Sequence, residues 1–274
     1  MKCLFSVLIG LLLLTGCQTT LQQRLNTADS IAKKGGFSKE IVRGGEFWIT
    51  TYQKIKDFAL PFVIYIEGDG LAFVENRTKV SKNPTPIDPT AFRLATLDPR
   101  PNVVYLSRPC QYTDMEKNPA CTSSYWTDKR MSEDVVASMN EAINDITHNS
   151  RVLNLVGFSG GGGIVVLIAA RNNNVKSIIT IAGNLNHIAF NELHNTKAMV
   201  NSLNPIDYVE KLRNIPQLHV SGSKDDIIPP SIANEFVKKS ASRCVHQKII
   251  PDATHKKTWT KVWRGILDIP LKCY

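Results

Sequence analysis

The sequence predicts an α/β domain with a mostly parallel sheet and helices on both faces. Short apolar runs of strand length alternate with amphipathic stretches of helical period, which is the order a parallel sheet with crossover helices requires. One of those runs passes into a helical stretch through four consecutive glycines, with no linker between. At 274 residues and 43% hydrophobic content, the chain can bury one sizeable core. It shows no internal repeat and no low-complexity tract.

Taken in order, Lys2 opens the chain with a positive charge, and an apolar run, Leu4 to Leu14, follows. That run is too short to span a bilayer as a finished helix and has the length of a signal-peptide core. It ends in "LTGC", Leu14 to Cys17, which resembles the bacterial lipobox. The resemblance implies that residues 1–16 are a lipoprotein signal peptide and that Cys17 becomes a lipidated N-terminus. Gln18 follows the cysteine, which by resemblance to Gram-negative sorting favours the outer membrane, the anchored protein facing the periplasm. Residues 17–36 are polar without a sustained pattern and read as a tether, leaving 37–274 as the folded domain.

"EFWITTYQKI" (Glu46 to Ile55) is aromatic and β-branched, as an early antiparallel strand would be. Buried-strand runs come next: "FVIYIE" (Phe62 to Glu67), "NVVYLS" (Asn102 to Ser107), "RVLNLVG" (Arg151 to Gly157), "SIITIAG" (Ser177 to Gly183) and "QLHVSG" (Gln217 to Gly222). "VHQKII" (Val245 to Ile250) is more polar and fits a sheet edge. Between them, a helix capped by Ser132 puts Val135, Val136, Met139, Ile143 and Ile146 on one face. Further helical patterns are "GGIVVLIAARNN", "PSIANEFVKKS" and "TWTKVWRGILDI". Two connections, Gly68 to Pro101 and Gly183 to Pro216, exceed simple turns, as lids and substrate loops do.

The formal charge of +9 comes from scattered lysines and arginines, in pairs such as Lys33-Lys34 and Lys256-Lys257. There is no basic run interleaved with aromatics, so a nucleic-acid partner is not expected and a solvated basic surface is. Cys3 falls in the signal and Cys17 in the lipobox, so Cys110, Cys121, Cys244 and Cys273 remain. An even remainder in an exported chain reads as two disulfides. Three pairings are open, of which Cys110–Cys121 with Cys244–Cys273 is the simplest. No CxxC spacing occurs among them, and neither a metal nor a cofactor is expected.

The chemistry centres on "LNLVGFSGGGGIVVLIAA", Leu153 to Ala170. A phosphate loop would need Lys-Ser/Thr after the glycines or a G-x-G-x-x-G register, and neither is present. A flexible turn is a poor alternative, since each glycine entering a helix costs about 1 kcal/mol relative to alanine. G-x-S-x-G, with Gly157, Ser159 and Gly161 in the fixed places, fits a nucleophile elbow between a buried strand and a helix. A serine nucleophile needs a base and an orienting carboxylate, and the chain order in this architecture is Ser, acid, His.

Downstream, "HVSGSKDDIIPP" supplies Asp225 after Gly222 and before Ile228-Pro229, and "IIPDATHKKTW" places His255 in a loop after the last strand. On these motifs, residues 46 to 270 or so resemble the α/β-hydrolase superfamily, and in particular its exported bacterial members. The resemblance implies catalysis by Ser159, Asp225 and His255. It also implies an oxyanion hole from the backbone N–H of Gly160 with that of Asp69, Gly70 being the next choice, in "EGDGLAF". The Asp69 carboxylate is expected to point away and cap a local turn. Asp226 is expected to face solvent and Asp207 to lie in a connecting segment. His219, His246 and His148 read as structural, and His187 and His194 as surface residues of the long loop, with pocket lining as the alternative.

The expected activity is hydrolysis of an ester, thioester or amide in a small-molecule or lipid-like acyl substrate, with the membrane engaged through the N-terminal lipid. The rivals are an exported peptidase or amidase and an idle lipoprotein that binds a partner through "CQYTDMEKNPAC".

Overall fold

A computed structural model of the chain describes residues 19–75, 78–150 and 152–273. The expected signal peptide and Cys17 lie outside the described residues. Ten strands and eight α-helices follow in chain order: α1 (Leu21–Gly35), β1 (Ser38–Gly44), β2 (Phe47–Lys54), β3 (Phe62–Ile66), β4 (Phe73–Val74), β5 (Lys79–Val80), α2 (Thr90–Thr96), β6 (Asn102–Leu106), α3 (Glu133–Ile146), β7 (Leu153–Phe158), α4 (Gly160–Ala169), β8 (Val175–Ile181), α5 (His187–Leu193), α6 (Val209–Leu212), β9 (Gln217–Gly222), α7 (Pro230–Ser240), β10 (Val245–Ile250) and α8 (Trp259–Leu267).

Eight strands form one sheet in the order β1-β2-β6-β3-β7-β8-β9-β10, and β4 pairs with β5 in a separate small hairpin. The pairings β1·β2 and β2·β6 are antiparallel, and the pairings from β6 to β10 are parallel. The polar strand β10 takes the edge, as its composition implies.

Strand β3, at the middle of the sheet, is buried at every position because both of its faces are covered. In β3, Phe62, Ile64 and Ile66 pack into the layer that holds α3, α4 and α7, through Val135, Met139, Ile164 and Phe236. Val63 and Tyr65 of the same strand enter the opposite layer with Ala28, Phe92, Trp259 and Trp263, from α1, α2 and α8.

The segment expected to be a patternless tether carries α1. Thr20 and Gln23 form a capping box, and the buried stripe is Arg24, Ala28 and Ala32. Two alanines and an arginine do not register as an apolar face. Yet the Arg24 guanidinium donates to the Asn83 and Thr85 carbonyls at 3.2 and 2.5 Å, which pins the helix to the domain. Among the described residues no helix is long and apolar enough to cross a membrane. Cys110 is bonded to Cys121, and Cys244 to Cys273.

Candidate active site

Strand β7 reaches the middle of the sheet and stops at Phe158, and α4 begins two residues later. Between them Ser159 holds φ 51° and ψ −121°, a backbone conformation that a β-carbon disfavours. Hydrogen bonds fix it there. The Ser159 N–H donates to the Ile181 carbonyl at 2.9 Å, and the Ser159 carbonyl accepts from the Gly162 and Asn184 N–H groups, each at 2.9 Å.

The glycine run now has a steric reason. A Cβ on Gly157 would strike the Gly161 carbonyl, and one on Gly161 would strike the carbonyls of Ile66 and Glu67. The turn is therefore pressed against the end of β3, and only hydrogen fits between the backbones.

The Ser159 hydroxyl donates to His255 Nε2 at 3.0 Å, and His255 Nδ1–H donates to Asp225 Oδ2 at 3.0 Å. Asp225 Oδ1 accepts from the N–H groups of Ile227 and Ile228 at 2.9 and 2.8 Å, so both carboxylate oxygens are engaged. The acid and histidine loops are stitched together where Lys224 N–H donates to the Ala253 carbonyl at 2.9 Å and Ser223 N–H to that of Ile250 at 3.0 Å. His255 is further held by its own carbonyl, which accepts from the Trp259 indole at 2.9 Å, and by the Phe158 ring, 5.2 Å away between centroids.

The rival carboxylates stand elsewhere. Asp226 is exposed, and Asp207 pairs with Lys239 at 3.5 Å on the surface. His219 is buried, bonded through Nδ1 to the Thr180 hydroxyl at 2.8 Å. Burial lowers its pKa to about 3, as a core histidine requires. His148 stacks on Phe58, and His246 meets the Lys272 carbonyl.

The loop after β3 passes directly over the turn. Gly68 is so close that a Cβ on it would lie 3.1 Å from that of Ser159. The N–H groups of Gly160 and Asp69 donate to no acceptor among the described residues. Gly70 turns the chain with φ 65°, after which Leu71 N–H reaches the Pro84 carbonyl.

The Asp69 side chain does not cap a local turn as expected. Its carboxylate lies against the Cα of Gly160 and is held by two arginines, Arg108 Nη1 at 3.2 Å and Arg130 Nε at 3.4 Å. The pairing has a physical cause, since a carboxylate in this half-buried place needs opposite charge close by. Gln111 donates to the Gly68 carbonyl at 3.0 Å.

Glu67 Oε1 accepts from the Gly68 N–H at 3.0 Å and the Ala91 N–H at 3.4 Å, while Oε2 has no partner among the described residues. Burial raises the Glu67 pKa to about 7, against the lowering effect of those N–H donors. Sequence reasoning missed Arg108, Arg130, Gln111 and Glu67 as site residues. The one available signal was position, for Glu67 and Arg108 stand at the carboxyl ends of buried strands, where ligands bind in such sheets.

The long connection from Gly183 to Pro216 lines a cavity of about 820 Å³ with α5 and the segment 195–208. His187, for which a surface place was expected with pocket lining as the alternative, takes the alternative and is buried there, 4% exposed. His194, expected at the surface, ties this segment to the acid loop through the Ile227 carbonyl at 2.7 Å.

A mostly parallel sheet with a serine at the tight turn after a central strand defines an α/β hydrolase. The family model for serine hydrolase (FSH1) matches residues 89–255, more than half of the chain, and the chain belongs to that family of serine hydrolases. No curated protein matches the sequence.

The fold is shared with solved structures of low identity. The acylaminoacyl peptidase of Pyrococcus horikoshii superposes with a TM-score of 0.60 at 12% identity, covering 87% of this chain and 42% of that one. An esterase of Pyrococcus furiosus gives 0.61 at 11%, over 86% and 92% of the two chains. Proline iminopeptidase of Mycobacterium smegmatis gives 0.62 at 13%, over 84% and 96%. The chain thus spans less than half of the peptidase and nearly all of the other two.

Proposed function

We propose that the chain is a lipid-anchored, extracytoplasmic esterase-like hydrolase in which Ser159 is the nucleophile, His255 the general base and acid, and Asp225 the group that orients the imidazole. The observation that carries this reading is the continuous hydrogen-bonded path from the Ser159 hydroxyl through His255 to a buried, doubly anchored Asp225.

In the reaction, Ser159 Oγ attacks the substrate carbonyl carbon while its proton passes to His255 Nε2. The oxyanion that forms accepts from the N–H groups of Gly160 and Asp69. His255 then protonates the leaving group as the tetrahedral intermediate collapses. Water, deprotonated by the same nitrogen, attacks the acyl-enzyme and frees Ser159. Asp225 stays ionised and holds Nδ1–H throughout.

Export is supported by the "LTGC" motif ending at Cys17 and by the two cystines of the domain, since such bonds persist in oxidising compartments. Fluorophosphonate labelling and turnover of short 4-nitrophenyl esters test the assignment. Both are expected in the wild type, and Ser159→Ala should lose the label and retain at most about 10³–10⁴-fold over water. Unchanged turnover in the variant would refute the nucleophile, and a folded wild type that neither labels nor turns over would favour an idle binding protein.

A further inference from the structure

Three charged side chains beside Ser159 do not balance. Asp69 is a single carboxylate flanked by two guanidinium groups. Arg108 gives its Nη1 to Asp69 Oδ1 and its Nη2 to the Arg130 carbonyl, its Nε being buried without a partner among the described residues and its side chain 5% exposed. Arg130 faces Asp69 only through Nε, which is itself buried without a hydrogen bond. Its two terminal nitrogens have no acceptor among the described residues, yet they are not sealed from solvent, the side chain keeping 10% exposure.

Glu67, the other acid of this loop, turns to the Gly68 and Ala91 N–H groups and makes no ion pair among the described residues. One positive charge is therefore left over, nine-tenths buried, one carboxylate's width from the Gly160 backbone. An uncompensated cation in such a place is costly, and a planar fork with free N–H donors matches a carboxylate or phosphate.

We propose that Arg130 is the anion-recognising residue of the Ser159 site, and that the substrates are acyl esters bearing a carboxylate or phosphate group close to the scissile bond. The proposal rests on the hydrolase reading above, which says which bond is broken. This one says what else the substrate carries.

Two matched pairs of substrates test it. In one, 4-nitrophenyl hemisuccinate is compared with 4-nitrophenyl butyrate, which places the anion on the acyl side. In the other, dihexanoyl phosphatidylglycerol is compared with dihexanoylglycerol, which places it on the alcohol side. In at least one pair kcat/KM should favour the anionic member by about tenfold or more, and raised salt should erode the advantage. In Arg130→Gln that ratio should fall to about one whatever happens to the absolute rates, with Arg130→Lys in between.

Binding is read apart from turnover by calorimetry of monomethyl succinate and dihexanoyl phosphatidylglycerol with Ser159→Ala protein. At least one of the two should bind there, and adding Arg130→Gln should abolish that binding. Ratios near one in both wild-type pairs, or a preference untouched by Arg130→Gln, would overturn the proposal. Survival of turnover in Ser159→Ala would instead strike the hydrolase assignment and leave the binding result standing.

Discussion

Replacing Asp225 by asparagine removes one charge and no volume, and the structure says which way the new amide must face. Asp225 Oδ1 accepts from two backbone donors, Ile227 N–H and Ile228 N–H. An amide turned with its NH₂ toward them would orphan two buried N–H groups, at about 1–3 kcal/mol each. The carbonyl oxygen of the introduced amide therefore keeps the Oδ1 place, and its NH₂ takes that of Oδ2, 3.0 Å from His255 Nδ1 in the wild type. Nδ1 must then accept rather than donate, which moves the imidazole proton to Nε2, facing Ser159. The base is lost with the geometry intact.

The expected fall in kcat is about 10⁴, equivalent to about 5.4 kcal/mol on the barrier at about 1.36 kcal/mol per tenfold. Steady-state hydrolysis of 4-nitrophenyl acetate, with circular dichroism to check the fold, measures it. Asp226→Asn and Asp207→Asn should stay within a few fold, because the first side chain is exposed and the second is bound to Lys239. Activity of Asp225→Asn above a tenth of wild type, or collapse of either control, would refute the reasoning.

Other outcomes follow from different parts of the chain. Cys17→Ser should leave an unprocessed or soluble product, read by membrane fractionation and intact mass; the same mature species in the membrane fraction would contradict lipidation. Glu67 has its pKa raised from 4.5 to about 7 by burial, so between those values the folded state binds more protons than the unfolded one. Its contribution to stability is thus intact below about pH 4.5 and is lost as pH rises through about 7, by up to ~3 kcal/mol. Glu67→Gln mimics the protonated acid, so its stability relative to wild type in urea titrations should rise over that window; a difference flat in pH would show that Glu67 does not titrate there.

Much of the fold was legible because its causes are local. Phe62 to Ile66 is apolar at every position since neighbours cover both faces of the strand, and a run of that kind is visible without knowing the neighbours. The polar strand Val245 to Ile250 went to the edge for the same reason. Ser159 stood out between glycines because the sharp turn excludes side chains on both sides of it. Asp225 and His255 were pointed to by the resemblance of their loops to the α/β-hydrolase pattern, and the structure brings both side chains into one hydrogen-bonded path with Ser159. Helix α1 was not legible, since Ala28 and Ala32 bury little apolar area each and Arg24 counts as a surface residue until its carbonyl partners at Asn83 and Thr85 are known.

The charges around the turn belong to the second kind. Asp69, Arg108 and Arg130 sit on separate segments of the chain, and nothing in the spacing of residues 69, 108 and 130 marks them as partners. Their ordinary reading one by one is a solvated side chain. His187 likewise looked like a loop histidine until the connection after β8 folded over it. Hydrophobic periodicity and backbone sterics are set by neighbours within a few residues, so the sequence alone determined the sheet, the turn and the order of Ser159, Asp225 and His255. Whether a charge is buried, and against what, depends on which distant segments the sheet order brings together, and only the tertiary structure decided that.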